Sequence, residues 1–336
     1  MKRIILTAIV CSFALAAAYS TAAQPNCNLK PSETILLYPE GQNVDKGADG
    51  ALGPLVSNGY TDPEETSAWG GITNIGDNAR IDLYLPKKPN GQMIIICPGG
   101  GYWDVSSYNE GIYVADWMVE RGITAAVVKY RLPNGHWEIP LRDVQNAFRY
   151  CRHHAAEWDV NQIGIIGFSA GGHLAASAST LFVDEVTRPD FSVLIYPVIS
   201  FEEGITHMGS RHNLIGSDEK WDNKEMTVKE YEVAHRKKAE LIERFSLEKQ
   251  VSANTPPTFI AHSSDDSVVP VANSINYYMQ LVNNKVSAEM HLYPTGEHGW
   301  GFSSEKFIGK GRGRFVYARN DFDAALERWL TMLRTK

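Results

Sequence analysis

The chain has 336 residues, of which 43% are hydrophobic and 21% are charged, and its formal net charge at pH 7 is −7. This length predicts one large domain or two smaller ones, and the composition predicts a packed core rather than a disordered chain. Because lysine and arginine are scattered along an acidic chain, the sequence gives no support to nucleic-acid binding, which needs a concentrated basic patch.

The first 23 residues have the pattern of a secretory signal peptide. Lys2 and Arg3 form a positive start, an apolar run covers residues 4–18, and small residues lead to Ala23. We therefore predict cleavage near Ala23 and export to the periplasm or the extracellular space. A membrane-spanning helix needs about 20 apolar residues, so this run is too short to span, and we predict no span elsewhere in the chain.

Three cysteines, Cys27, Cys97 and Cys151, follow the predicted signal peptide. Their number is odd and their spacing is unlike that of a metal site, so the sequence predicts no metal. An exported protein can form disulfides, and the sequence leaves open whether Cys27 is disulfide-bonded.

Residues 24–80 are polar and rich in glycine, proline and asparagine, which predicts an N-terminal arm that wraps the following domain. Over residues 81–336 strand and helix patterns alternate, which predicts an α/β catalytic domain with a mainly parallel sheet and helices on both faces. The predicted strands are residues 81–85, 93–97, 124–129, 163–167, 192–196, 258–262 and 288–293. The predicted helices are residues 113–120, 140–158, 173–181, 271–282 and 322–333.

One segment, residues 200–256, interrupts this alternation between two predicted strands. It is charged and partly helical, with a helix predicted over residues 229–245. Loops at the carboxyl ends of parallel strands often have functional roles. We therefore predict a lid-like or substrate-binding insertion, with a surface decoration as the open alternative.

The clearest functional pattern is the string GFSAGG at residues 167–172, which places Ser169 between a predicted strand and a predicted helix. In a G-x-S-x-G turn the nucleophile occupies a strained strand-to-helix turn, where bulky neighbours two positions away would collide. The N-terminus of the following helix also places positive dipole potential near a developing oxyanion. Such a string alone can be a structural turn, but its context predicts that Ser169 is a catalytic nucleophile.

A nucleophilic serine needs a base, and the base needs an acid that orients it. His298 lies in a glycine-flanked loop after the last predicted strand, so we interpret it as the base. The acid is expected between the serine and the histidine, where Asp266 begins the sequence D-x-x-V-P and Asp265 is the competitor. For either aspartate a turn or helix-capping role is the structural alternative. The other histidines, such as His173 after the turn and His207 in the insertion, are interpreted as structural.

A glycine-rich loop, CPGGGYW, follows the predicted strand at residues 93–97. Glycines allow backbone N–H groups to turn toward an oxyanion, and the predicted donors are Gly100, Gly101 and Ala170. A phosphate-binding loop is the alternative, but the run lacks both the spaced glycines of G-x-G-x-x-G and the lysine of a P-loop.

Three aromatic residues lie beside these loops. Tyr102 and Trp103 directly follow the glycine run, and Trp300 lies two residues after His298. This position predicts that the three side chains wall the substrate pocket. Filling of the core is the alternative role, since aromatic side chains also dominate protein interiors.

Several stretches of the chain resemble bacterial α/β-hydrolases of a family identified as acetyl xylan esterase-like or carbohydrate esterases. The stretches are PGGGYW, ITAAVVKYRLP, GFSAGGHLAAS, TPPTFIAHSSDDSVVPVANS, HLYPTGEHGWG and, in the insertion, RHNLIG. The resemblance covers residues 80–335 and implies the α/β-hydrolase fold, with the family's catalytic triad at Ser169, Asp266 and His298. The glycine-rich loop begins with Pro98 instead of the histidine of the broader lipase pattern, as is usual for this subgroup. Residues 24–80 match no part of the family.

Export and the resemblance together predict a secreted esterase that removes short acyl groups, mainly acetyl, from carbohydrates such as xylan or its oligosaccharides. The mechanism is acyl transfer through an acyl-enzyme and requires no metal and no organic cofactor. The alternatives are a feruloyl-type esterase and a serine exopeptidase of the prolyl-oligopeptidase-like group, whose usual propeller domain has no counterpart repeat here. A non-catalytic binding protein on a hydrolase scaffold is a more distant alternative, since such proteins commonly lose the serine or the histidine.

Overall fold

The structure is a computed structural model that describes residues 27–38, 63–68, 70–75, 79–302 and 318–334. The predicted signal peptide at residues 1–23 lies outside the described residues, as do residues 39–62 of the predicted arm. Across the described ranges, no helix has both the length and the apolar character that crossing a membrane requires. The same ranges contain no disulfide, and Cys97 and Cys151 are buried in the core.

A sheet of eight strands runs through the described part of the chain. From one edge to the other, its strands are β1 (Glu33–Leu36), β4 (Arg80–Tyr84), β7 (Thr124–Lys129), β5 (Gln92–Cys97), β8 (Gln162–Phe168), β9 (Ser192–Ile195), β10 (Thr258–Ser263) and β11 (Ala288–Tyr293). All neighbouring strands from β7 to β11 are parallel, whereas β4 pairs antiparallel with both β1 and β7. Three short strands, β2 (Glu65–Thr66), β3 (Gly71–Thr73) and β6 (Val105–Ser106), form a separate antiparallel sheet.

Helices cover both faces of the large sheet. They are α1 (Tyr113–Glu120), α2 (Glu138–His154), α3 (Ser169–Thr180), α7 (Ala272–Asn283) and α8 (Arg319–Arg334). The helices of the insertion are α4 (Met208–Ile215), α5 (Asp218–Trp221) and α6 (Val228–Phe245). Along β5, Met93 and Ile95 pack in a cluster with α2, α3 and α7, while Ile94 and Ile96 pack in a second cluster with α1 and α8. Burial on both faces explains the continuous apolar run of this strand. The predicted mainly parallel sheet with helices on both faces is therefore confirmed.

Most predicted elements are present with ends shifted by a few residues, and two differences have a clear physical reason. Strand β1 lies within the segment predicted as an arm and forms an edge of the large sheet. Of its four residues only Ile35 is buried, so its sequence lacks the alternation that indicates a strand. Helix α2 begins at Glu138, two residues before Pro140. Proline is tolerated there because N–H groups in the first turn have no intrahelical acceptor.

The topology gathers the predicted functional segments at one edge of the sheet. Strands β5, β8, β10 and β11 are parallel, so their carboxyl ends meet at the same edge. The glycine-rich loop follows β5, Ser169 follows β8, Asp266 follows β10 and His298 follows β11. The insertion, residues 200–256, leaves the sheet after β9 and contains α4, α5 and α6.

Candidate active site

Ser169 occupies a strained turn between β8 and α3. Its backbone φ is +52°, in the left-handed region that L side chains rarely adopt. Phe168 before it is still extended, with φ −123° and ψ 134°, so the chain changes direction at the serine itself. Gly171 permits this turn to pack closely, because a Cβ at that position would lie 2.2 Å from the carbonyl oxygen of Cys97. The turn thus has the geometry of a nucleophile elbow.

The structure brings Ser169, His298 and Asp266 into one chain of hydrogen bonds. His298 Nε2 lies 2.8 Å from Ser169 Oγ, and His298 Nδ1 lies 2.7 Å from Asp266 Oδ2. Because an ionised carboxylate only accepts hydrogen bonds, the imidazole proton lies on Nδ1 and Nε2 accepts from the serine hydroxyl. This arrangement can move the serine proton to the histidine as the oxygen attacks a carbonyl carbon.

Four donors surround the Asp266 carboxylate. Oδ1 accepts from the N–H groups of Val268 and Val269 at 2.9 and 2.8 Å, and Oδ2 is also 3.2 Å from His262 Nε2. Burial alone would raise the pKa of Asp266, but the hydrogen bonds from His262 and His298 outweigh it and hold the pKa well below its ordinary value. Asp266 is therefore ionised at neutral pH, and its carboxylate faces His298.

The competing carboxylate has a different position. Asp265 Oδ1 accepts the backbone N–H of Glu297 at 2.8 Å. Glu297 has a φ of +54° and directly precedes His298. Asp265 therefore holds the backbone of the histidine loop, whereas Asp266 contacts the histidine ring.

The glycine-rich loop leaves two backbone donors unused. Gly100 and Gly101 have φ values of +118° and +63°, which glycine adopts without strain. Within the described residues, their N–H groups donate to no acceptor, while the N–H of Gly99 donates to Glu110 Oε2 at 2.7 Å. Ala170 lies in the first turn of α3, where N–H groups have no intrahelical acceptor. The N–H groups of the three predicted oxyanion donors therefore donate to no protein acceptor within the described residues.

Two buried residues that sequence reasoning missed join the glycine-rich loop to the histidine loop. Glu110, only 4% exposed, accepts from the N–H of Gly99 and, at 2.8 Å, from the hydroxyl of Tyr196. The Tyr196 hydroxyl in turn accepts the N–H of Gly301 at 2.7 Å, and its ring centroid lies 4.8 Å from that of His298. The only local signal is a lone acidic residue ahead of the apolar helix α1.

Two carboxyl groups contact the glycine-rich loop, those of Glu110 and Asp104, and both have raised pKa values. Burial raises the pKa of Glu110, although the hydroxyl of Tyr196 and the charge of His298 oppose the shift. Burial and then the charge of Glu110 raise the pKa of Asp104 to about 7. The Asp104 carboxyl packs against Gly100, where a Cβ would lie 1.8 Å from its Oδ1.

The three predicted pocket aromatics have separate positions. Tyr102 is 1% exposed and its hydroxyl donates to His173 Nδ1 at 2.9 Å, so it presents no surface to a substrate and its pocket assignment is wrong. Trp300 is 7% exposed, and its indole N–H donates to Ser263 Oγ at 3.1 Å, so this side chain too belongs to the core. Trp103 is 64% exposed and is the member of the three that a substrate can reach.

The insertion contacts the glycine-rich loop and α3 directly. Asn213 Nδ2 on α4 donates to the carbonyl oxygen of Gly101 at 2.9 Å. At the end of α6, the carbonyl oxygen of Phe245 lies 2.9 Å from Nε2 of the buried His173. Since a carbonyl only accepts, His173 donates from Nε2 and accepts from Tyr102 at Nδ1. His173 is thus a structural histidine, and the insertion forms part of the site's surroundings.

Comparison with known proteins links this architecture to esterases. Residues 81–281 match the BD-FAE family. An acetylxylan esterase of Xylanibacter ruminicola is 39% identical over 237 residues, which are 69% of this chain and 46% of that protein. The chain therefore spans less than half the length of this relative.

Solved structures show the same fold. The acetyl ester-xyloside bifunctional hydrolase of Caldicellulosiruptor lactoaceticus is 29% identical and superposes with a TM-score of 0.64, covering 91% of this chain and 98% of that one. MGS-M1, an α/β hydrolase from a Medee basin deep-sea metagenome, is 24% identical with a TM-score of 0.57, covering 81% of this chain and 99% of its own. The large sheet and its helices therefore have the α/β-hydrolase fold.

Proposed function

The chain belongs to the BD-FAE family, and on that premise we propose that it is a serine esterase that removes acetyl groups from carbohydrates such as xylan or its oligosaccharides. The observation that supports this proposal most is the unbroken hydrogen-bond chain from Ser169 through His298 to Asp266. An elbow serine, an oriented imidazole and an ionised carboxylate are the parts that acyl transfer needs. A binding protein on the same scaffold would have no use for them together.

In the proposed mechanism, Ser169 Oγ attacks the ester carbonyl carbon while His298 Nε2 takes its proton. The N–H groups of Gly100, Gly101 and Ala170 stabilise the negative charge that develops on the carbonyl oxygen. The tetrahedral intermediate collapses as the sugar alcohol leaves with the proton from His298. Water, activated by the same histidine, then attacks the acyl-enzyme and releases acetate.

The substrate class is proposed from the relatives. One is an acetylxylan esterase and another is an acetyl ester-xyloside bifunctional hydrolase, so both names refer to acetyl esters and to xylan or xylosides. The exposed ring of Trp103 gives a sugar an apolar face beside the glycine-rich loop. We expect acetyl esters to be preferred over longer acyl esters.

Export is part of the proposal. Lys2, Arg3 and the apolar run that follows them support a signal peptide that ends near Ala23. A polysaccharide outside the cell would then be accessible to the enzyme. N-terminal sequencing of the protein recovered from the periplasm or the medium tests this, and a retained Met1 would contradict it.

Acetate release from acetylated xylan, acetylated pectin and acetylated small sugars tests the activity. We expect Ser169→Ala to lower kcat about 10⁴-fold or more, because no other group replaces the nucleophile. A fluorophosphonate should label the wild-type protein at Ser169 and leave the variant unlabelled. Turnover retained by the variant, or faster cleavage of long acyl esters than of acetyl esters, would contradict the proposal.

A further inference from the structure

The start of the insertion is fixed to the body of the domain by a buried amide. Asn273 on α7 is fully buried, and its Oδ1 accepts from the N–H groups of Ile199 and Ser200, both at 2.9 Å. Its Nδ2 donates to the carbonyl oxygen of Ile205 at 2.7 Å. The chain that leads to His207 therefore has a defined path rather than that of a loose surface loop.

His207 begins α4 beside the glycine-rich loop. Its Cε1 atom lies 3.8 Å from the point where a Cβ on Gly101 would be, and no other atom outside the adjacent residues lies within 4 Å of that point. The contact from Asn213 to the carbonyl oxygen of Gly101 fixes the same helix against the same residue. His207 is only partly buried, and its ring adjoins Gly101 of the glycine-rich loop.

The hydrogen bonds of His207 determine which ring nitrogen bears the proton. Nδ1 caps α4 by accepting the backbone N–H of Ser210 at 3.3 Å, and it lies 2.8 Å from the hydroxyl of the same residue. An Nδ1 that accepts from an N–H has no proton of its own, so a neutral ring bears the proton on Nε2. Across the part of the chain that the structure describes, Nε2 has no hydrogen-bond partner.

The surroundings favour the neutral ring. Burial and the positive charge of His298 lower the pKa of His207, and the carboxylate of Asp266 opposes them without reversing the shift. The same two groups of the triad thus act on His207 through space. A neutral N–H donor whose ring is oriented by a helix cap therefore lies beside the glycine-rich loop.

We propose that His207 is a substrate-binding residue whose Nε2–H donates to a hydroxyl or ring oxygen of the sugar that bears the acetyl group. This inference rests on the proposed function, since it assigns the binding of the alcohol portion of that substrate. An acetyl methyl group offers no acceptor, and the carbonyl oxygen is served by the backbone donors of the glycine-rich loop. A sugar presents many hydroxyl acceptors, and His207 adjoins the same loop whose backbone donors we propose to bind the carbonyl oxygen.

Two substitutions separate the roles of the ring nitrogens. His207→Asn places an amide oxygen near the Nδ1 position, which preserves the cap because asparagine is a favoured N-cap residue, but it has no donor at the Nε2 position. His207→Gln extends an amide nitrogen toward the Nε2 position. A matched control is His235→Asn, since His235 lies on α6 and pairs with Asp222 on the exposed face of the insertion.

The experiment measures kcat and KM with acetylated xylo-oligosaccharides and with 4-nitrophenyl acetate, which has no sugar. For His207→Asn we expect kcat/KM on the sugar esters to fall about 5- to 10-fold, mainly through KM, because one neutral hydrogen bond is lost. The fall with 4-nitrophenyl acetate should be several-fold smaller. His207→Gln should regain part of the sugar selectivity, and His235→Asn should match the wild type. His207→Asn and His235→Asn should retain the wild-type melting temperature, whereas His207→Gln, which loses the cap of α4, should melt slightly lower.

Each of the following results would overturn the inference. Equal losses of kcat on both substrates would place the donor on the oxyanion instead of the sugar. No loss on either substrate would remove any binding role. A wild-type protein that cleaves 4-nitrophenyl acetate but no sugar ester would overturn the proposed carbohydrate substrate and this inference with it, whereas sugar turnover unchanged by His207→Asn would overturn the inference alone.

Discussion

The two sides of the candidate active site are built on different principles. On one side, the side chain of His298 contacts those of Ser169 and Asp266 directly. On the other side, the groups offered to a substrate are backbone N–H groups, and their positions depend on side chains such as Glu110 and Asn213 from other parts of the chain. The geometry of the first side depends on which three side chains are present. The geometry of the second depends on the contacts of Glu110 and Asn213 that hold the glycine-rich loop in place.

The buried carboxyl groups of the two sides also differ in the direction of their pKa shifts. Asp266 receives four hydrogen bonds, two from backbone N–H groups and two from imidazoles, and these overcome its burial and lower its pKa. Glu110 receives two hydrogen bonds, and burial prevails and raises its pKa. The additional hydrogen bonds to Asp266 thus help to lower its pKa, whereas burial dominates at Glu110.

The largest predicted effect lies on the side of the triad. Asp266→Asn replaces an acceptor-only carboxylate by an amide whose NH₂, at the Oδ2 position, can accept from neither His262 nor His298. The imidazole of His298 then loses the acceptor that holds its proton on Nδ1, so we expect kcat to fall about 10⁴-fold. Steady-state kinetics on an acetyl ester measures this fall.

The adjacent residue provides a matched control for this prediction. Asp265→Asn changes a neighbouring carboxylate to the same amide, and its oxygen can still accept the N–H of Glu297. We expect kcat to fall by less than about tenfold, since the histidine loop keeps its hydrogen bond. Similar losses for both variants would mean that the two aspartates act as one unit and that the assignment of the acid to Asp266 is wrong.

The contrast between the two sides explains what the sequence could predict. Acyl transfer needs a serine, a histidine and an acid in a set chain order, and the glycines around Ser169 and His298 mark the tight turns that hold them. These local signals predicted three residues that the structure brings into hydrogen-bond contact. The sheet was equally predictable, because strands buried on both faces are continuous apolar runs.

The supports of the glycine-rich loop have no such signal. Glu110 and Tyr196 are 86 residues apart in the chain, and their contact arises only when β5 and β9 flank β8 in the sheet. Tyr102 was misplaced for the same reason, since its partner His173 is 71 residues away on α3. A contact between two residues so far apart in the chain produces no periodic pattern in a single sequence, so it could not be predicted from the sequence.

A smaller effect is predicted for the support beneath the glycine-rich loop. In Glu110→Leu the carboxyl oxygens that accept from the N–H of Gly99 and from the Tyr196 hydroxyl are both lost, which leaves the buried N–H of Gly99 without its acceptor. The glycine-rich loop must shift to satisfy this N–H, and a displaced oxyanion donor lowers the rate. We expect kcat to fall about 100-fold with little change in KM.

A double-mutant cycle tests whether the two sides are joined through this pair. Tyr196→Phe removes the hydroxyl that links Glu110 to the histidine loop, while its ring can still pack on His298. If the hydrogen bond couples the two sides, the double variant should lose less than the product of the single losses, with a coupling of about 1 to 3 kcal/mol. Strictly multiplicative losses would show that Glu110 and Tyr196 act independently.

The smallest predicted effect is a pH dependence of stability on the same side. The pKa of Asp104 is raised from 3.8 to about 7, so the folded state keeps a proton that the unfolded chain has already lost between these values. Stability therefore falls as pH rises through this window and is constant above it. Asp104→Asn removes the titration, so its free energy of unfolding relative to wild type should increase by about 2 kcal/mol from pH 5.5 to pH 8. Denaturant unfolding at several pH values measures this difference, and parallel curves for the two proteins would show that Asp104 is already ionised in the folded state. In that case the Asp104 carboxyl group, although it packs against Gly100, would be ionised in the folded state as that of Asp266 is.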